Sequence, residues 1–483
     1  MNYLDFIKNM NDDPEKYGVY PRSFNRAGGA AVFMAEVGGE TKLISTGELG
    51  FSGEKSGGVT VAPLSHENAN VLRTLFPFTA PTRVLGKEKS FGVGDRLGNA
   101  CHGHIAVFEK YDDVYPVLAQ QSIRELTLTE RTYEDVLDCA SFAVYRDGFK
   151  RGFGADGDHL KQRKDVKYAL DLGFSMITLD CSDHIRNDVG GMSDAELSRA
   201  YTPDAALEKK YLGKKFTVGA FELEFDEKEL ARIVLIYKKA IDFAVSIYNE
   251  FLSDGKYDAD FEISIDETAT PTTPLQHFFV ANELADAGVK VATIAPRFCG
   301  EFQKGIDYIG DIAQFESEMK SHAEIARKFG YKLSIHSGSD KFSVFPAIGR
   351  ETRGVFHVKT AGTNWLEAVK VVANIDPALY RELHKFALES FTEASTYYHV
   401  TTDLAKIPDV DTLSDAELPL LFSQNDARQL IHITYGLILT AKNPDGTSRF
   451  KDRLFKLWRE NEAEYNAALA SHIGRHLDLL IGR

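Results

Sequence analysis

The densest group of chemistry-bearing residues is Gly152-Phe153-Gly154-Ala155-Asp156-Gly157-Asp158-His159-Leu160-Lys161, where an apolar run reaches a polar tip and helical spacing follows at once. A strand end that passes straight into a helix fixes a carboxylate and an imidazole in place, where a loop would let both wander. Asp158 is equally a favoured helix cap, so the fragment alone is ambiguous. Recurrence gives it meaning. Other apolar runs end in Asp95-Arg96, Gln120-Gln121, Asp180, Asp266-Glu267, Arg297, His336 and Lys359, a ring of acids, imidazoles and cations beyond ordinary turn chemistry.

Neutral imidazole and carboxylate oxygen both ligate Zn, Mn, Ni, Co or Fe(II), which makes His159 and His336 the leading candidates for a divalent metal site. Glu301 is the candidate for the third ligand, with Asp307 and Asp266 as alternatives. Asp158 and Glu267, on different strands, suit proton transfer at opposite faces of one carbon, as an epimerase or isomerase requires. Glu262 and Asp266 are alternatives to Glu267. Arg297, Lys341 and Lys359 could hold a substrate carboxylate or phosphate.

Something must bring these residues together. Strand-like runs fall at residues 90–94, 114–119, 152–157, 175–179, 261–265, 289–295, 332–335 and 355–358, with helical patterns such as 133–145, 227–252, 274–287 and 311–329 between them. Eight such units predict a (β/α)8 TIM-like barrel, whose chemistry sits at the C-terminal ends of its strands. Residues 31–44 predict a β-hairpin turning at Gly38-Gly39, and the Gly/Ser-rich stretch 50–58 reads as a mobile loop. The long gap 186–225 reads either as an insertion over the site or, equally, as a plain surface excursion. Beyond residue 376 helical periodicity dominates. The expected organisation is an N-terminal β-containing region (1–89), the barrel (90–375) and a helical C-terminal extension (376–483).

Composition narrows the partners. With 483 residues and a formal net charge of -15, the chain lacks the basic surface of a general nucleic-acid binder. Cys101, Cys139, Cys181 and Cys299 form no CxxC pair and read as reduced thiols. The first residues lack a signal-peptide core, and no apolar run approaches the roughly 18 residues of a membrane span. These features predict a cytoplasmic protein acting on a small molecule.

Several longer motifs carry a resemblance. Phe91-Gly92-Val93-Gly94-Asp95-Arg96-Leu97-Gly98, Gln120-Gln121-Ser122-Ile123-Arg124-Glu125, Gly152 to Lys161, Ser334-Ile335-His336-Ser337-Gly338-Ser339-Asp340-Lys341-Phe342 and Lys359-Thr360-Ala361-Gly362-Thr363-Asn364-Trp365 resemble the tagaturonate epimerase family, in the same order. The resemblance implies interconversion of tagaturonate and fructuronate with a divalent metal, and in some members of tagatose and fructose. It implies Asp158 as proton acceptor, His159 and His336 as metal ligands and an acid near Glu267 as proton donor. The alternatives are a metal-dependent aldolase or ketose isomerase on a sugar or sugar acid, and a non-catalytic sugar-binding protein; reaction products separate them.

Overall fold

The computed structural model describes residues 3–8 and 13–483. Ahead of the barrel lies an antiparallel sheet of β1 (Asn25–Ala27), β2 (Ala30–Val37), β3 (Glu40–Thr46), β4 (Glu54–Ser56) and β5 (Val59–Ala62), in the order β1-β2-β3-β5-β4. The predicted hairpin is β2–β3, and Gly38 and Gly39 take the positive φ values of 62° and 80° that a two-residue turn requires. The stretch read as a mobile loop is largely a second hairpin. Gly57 and Gly58 (φ 60° and 81°) form its turn, so those glycines serve strand pairing.

Eight parallel strands follow: β6 (Lys89–Val93), β7 (Val114–Ser122), β8 (Gly154–Leu160), β9 (Met176–Asp180), β12 (Asp260–Ile265), β13 (Thr293–Pro296), β14 (Lys332–Ile335) and β15 (Phe356–Thr360). They close in the order β12-β13-β14-β15-β6-β7-β8-β9, giving the expected (β/α)8 barrel. Local sequence sets the helix limits. Thr132 and Thr273 each form a capping box, Pro274 opens its helix at a position needing no N–H, and Gly330 ends the helix Ile312–Phe329 in the left-handed region.

Of the two readings of the 186–225 segment, the surface excursion is the one the structure shows. It contains the hairpin β10 (Lys215–Val218) and β11 (Phe221–Glu224) and packs Tyr211, Phe216 and Phe225 against Phe278 and Phe279 on the outer helix Pro274–Asp286. Its aromatic residues find an apolar partner on the barrel's flank, and none of its residues lines the cleft at the mouth. The C-terminal helices reach the mouth instead. They share a core with the last barrel helix, Thr363–Ile375, where Trp365 donates its indole N–H to the Ile431 carbonyl (2.7 Å) and Trp458 to that of Ala368 (2.9 Å). Satisfied indole donors make such large buried groups stabilising. Among the described residues, no helix is long and apolar enough to cross a membrane.

The N-terminal end of the barrel interior holds a buried lysine. Lys332 donates to Ser90 Oγ and to the Lys87 carbonyl, both at 2.7 Å, and burial pushes its ammonium down to about 7 despite the Asp260 and Glu262 carboxylates. A base held below its ordinary value of 10.5 binds fewer protons folded than unfolded between about pH 7 and 10.5. Its contribution to stability therefore rises with pH across that window and falls as the pH drops toward 7. Urea unfolding between pH 7.5 and 9 (test conditions of about these values) is expected to show Lys332→Met losing part of the wild-type rise, at most about 1.4 kcal/mol per pH unit. Identical slopes would refute this assignment.

Candidate active site

The strand ends open into a cleft of about 440 Å³ lined by Gln120, Asp158, His159, Asp266, His336 and Lys359 among others. Consecutive strand residues normally face opposite ways, yet Asp158 and His159 both reach this cleft. The β8–β9 register shifts between Gly157 and Leu160, and His159 adopts φ 54°. A bulge at a barrel rim re-aims side chains, and a left-handed non-glycine residue is the kind of strain found at functional sites. Glu262 and Ser264 share one face of β12 by simple alternation, and Asp266, the residue just after the strand, accepts from Ser264 Oγ on the same side.

Each imidazole is held by a carboxylate. His159 Nδ1 lies 2.8 Å from Asp158 Oδ1, and His336 Nε2 lies 2.7 Å from Glu262 Oε1. The remaining nitrogen of each ring is free to turn toward Asp266, and one ligand atom from each of His159, Asp266 and His336 lies within 4.8 Å of the others. His336 Nδ1 is buried without a hydrogen bond, 3.3 Å from Asp266 Oδ2. Burial alone would lower the His336 pKa, but Asp266 and Glu262 on its two sides raise it to about 10. The position between the rings thus strongly favours positive charge. Two tethered imidazoles, one carboxylate and an orphaned ring nitrogen fit a divalent cation.

Lys359 lies beneath this cluster. Its ammonium is 2.5 Å from Asp158, 2.6 Å from Asp156 and 3.1 Å from Glu262, and it donates to Thr178 Oγ1 at 2.7 Å. Burial would raise all three acids. Lys359 overcomes it for Asp158 and Glu262, which are held below the usual carboxylate range, whereas Asp156 stays up at about 6.

The other expected residues are placed differently. Asp266, rather than Glu301, joins the two histidines; Glu301 is exposed in a loop bridge with Ile309 and its carboxylate accepts from Gln303 Nε2. Asp307 accepts from the Tyr308 and Ser343 backbones and so shapes a turn. Arg297 lies in a side lobe with its guanidinium on the Thr268 carbonyl. Lys341 is wholly buried, and the carbonyls of Gln303, Ile306 and Ser339 take up its three donors, so it staples loops and cannot meet substrate. Lys359 lines the cleft but is committed to three acids. Glu267 is exposed on the cleft wall. Among residues not singled out from sequence, Asp156 shares its strand face with Asp158, an i, i+2 signal that was legible; Lys304 and Tyr398 sit in irregular segments with no such signal.

An eight-stranded parallel barrel that gathers imidazoles and carboxylates in a polar cleft at its mouth defines a barrel enzyme for a small, oxygen-rich molecule. A family profile described as "UxaE: tagaturonate epimerase" matches residues 20–480. The chain belongs to this tagaturonate epimerase family, whose members are isomerases of carbohydrate derivatives. It is 44% identical over 478 residues to a tagaturonate/fructuronate epimerase of Thermotoga maritima, covering 96% of this chain and 97% of that one. Crystal structures of the fructuronate-tagaturonate epimerase UxaE from Cohnella laeviribosi, with one glycerol and in native form, are 51% identical, cover 99% of both chains and superpose with TM-scores of 0.95 and 0.94.

Proposed function

We propose that the protein interconverts D-tagaturonate and D-fructuronate, assisted by a divalent cation (Zn, Mn, Ni, Co or Fe) held by His159, Asp266 and His336, and that tagatose and fructose are weaker substrates. The single observation that carries the metal part is the convergence of two carboxylate-tethered imidazoles on one further carboxylate. When bound, the cation would polarise the ketone and steady negative charge on neighbouring oxygens.

The inverted carbon lies β to the ketone, so its own hydrogen is not acidic and simple enolisation cannot invert it. In the proposed route the hydroxyl on that carbon gives up its proton and the bond to the α carbon breaks. The bonding pair stays on the α carbon as an enediolate, and the β carbon becomes an aldehyde. Rotation of the aldehyde and re-addition to its other face, with a proton returned to the new alkoxide, complete the inversion. Asp158, kept ionised by Lys359, accepts the proton at one face; its contacts to His159 and Lys359 both fall on Oδ1, leaving Oδ2 for substrate. Glu267, which lines the same cleft just beyond the end of β12, returns a proton at the opposite face.

Purified protein given tagaturonate is expected to form fructuronate, to stop on chelation and to recover when ions are restored one at a time. Net accumulation of three-carbon fragments would indicate an aldolase, and substrate binding without conversion would indicate a binding protein. Turnover undiminished by complete metal removal would end the metal reading. Absence of a carbon isotope effect at the α–β bond would end the cleavage route.

A further inference from the structure

Besides its two histidines, the cleft is lined by the lysines and arginine Arg124, Lys161, Lys304 and Lys359. Lys359 is surrounded by three carboxylates, while Lys161 donates to Asp183 at 2.9 Å and lies 3.8 Å from Asp180. Among the described residues, Lys304 and Arg124 have no such acid partner. The Lys304 ammonium donates only to Ser337 Oγ, at 3.1 Å, and Arg124 donates to the Tyr397 carbonyl at 3.3 Å with its guanidinium 5.7 Å from the Tyr398 ring centre. Glu125, the nearby acid, is already paired with Arg96 at 2.9 Å. Lys304 is half-buried, and an ammonium withdrawn from water without a counter-charge is costly. Burial correspondingly lowers its pKa.

We propose that Lys304 and Arg124 form the subsite for the substrate's carboxylate, an inference that rests on the epimerase reading above. Lys304 bonds to the residue that follows His336, which places a positive charge beside the histidine cluster, and the exposed Arg124 lines the same cleft near enough for the two charges to act on each other, so one carboxylate can answer both. In tagaturonate and fructuronate the carboxylate lies two bonds from the inverted carbon. Holding it anchors the aldehyde-bearing piece while the bond to the enediolate is broken, so the piece rotates without leaving. The same pair favours a uronate over the ketose that carries a CH₂OH in place of the carboxylate.

The test is calorimetric binding of tagaturonate and of tagatose to the metal-loaded wild type, Lys304→Met, Lys304→Arg and Arg124→Ala, with KM and kcat for tagaturonate. Loss of one charge-assisted contact is expected to weaken tagaturonate binding by about tenfold to a hundredfold in Lys304→Met and by less in the exposed Arg124→Ala. Tagatose binding should change by less than about twofold, and Lys304→Arg should recover most of the loss. Arg124, on the surface, can be replaced without risk to folding. Unchanged tagaturonate binding in both variants, or an equal loss for tagatose, overturns the subsite. Binding needs no turnover, so a wild type that binds tagaturonate but fails to convert it overturns the epimerase reading alone.

Discussion

Lys359→Met is expected to lower kcat/KM by at least about a thousandfold and to destabilise the barrel by about 3–5 kcal/mol. Among the described residues the ammonium is the only cation within 4 Å of Asp156, so with it gone Asp156 is left buried against an alkyl chain, and Asp158 and Glu262 keep only His159 and His336 as counter-charges. Uncompensated buried charge costs far more than an exposed ion pair contributes. The carboxylates respond by taking up protons, so their pKa values rise above the ordinary value of about 4. The sign follows: groups with raised folded pKa bind more protons folded than unfolded, and the variant's stability is greatest in acid and lost as the pH rises. Activity falls for a second reason. A protonated Asp158 neither accepts a proton nor holds His159 Nδ1. Denaturant unfolding at several pH values checks the first effect and steady-state kinetics the second. Lys359→Met combined with Asp156→Asn is expected to regain stability but no activity. Full activity in Lys359→Met would overturn the role assigned to this lysine.

The barrel was legible because its strands are short apolar runs bounded by polar ends, and a strand buried on both faces leaves that signature in sequence. His159 and His336 were legible as members of the cluster because both stand at the tips of such runs. What each cation does was not. Arg297, Lys341 and Lys359 look alike along the chain, yet one grips a loop carbonyl, one is spent on three backbone oxygens and one is shared among three acids. Those differences come from contacts between residues far apart in sequence. The same holds for Tyr398, delivered to the mouth by a helical extension whose packing no local pattern encodes. For the third member of the cluster, strand alternation put Glu262 and Asp266 on one face, but only barrel closure shows that Glu262 tethers His336 while Asp266 faces both rings.

On the proposed metal reading, that last distinction separates residues that would hold the cation from residues that would orient its holders. Asp266→Ala is expected to remove most bound metal and to reduce turnover by at least about a thousandfold, because it deletes the carboxylate that, among the described residues, groups with both His159 and His336. Glu262→Gln retains the shape of its side chain but not its charge. A neutral amide can still meet His336 Nε2, so this variant should keep a measurable cation with affinity weakened by about tenfold to a hundredfold, as for other groups that orient a ligand. Part of that loss should be recovered at higher metal concentration, whereas Asp266→Ala should not recover. Glu301→Gln should leave both metal content and turnover within about twofold, because its carboxylate is exposed and engaged by Gln303. Metal analysis of the purified proteins, with titration of each ion against activity, distinguishes the three. If Asp266→Ala retained a full complement of metal while Glu301→Gln lost it, the ligand set would have to be redrawn around the side lobe of the cleft, with Asp266 as a charged neighbour of His336 and not a ligand.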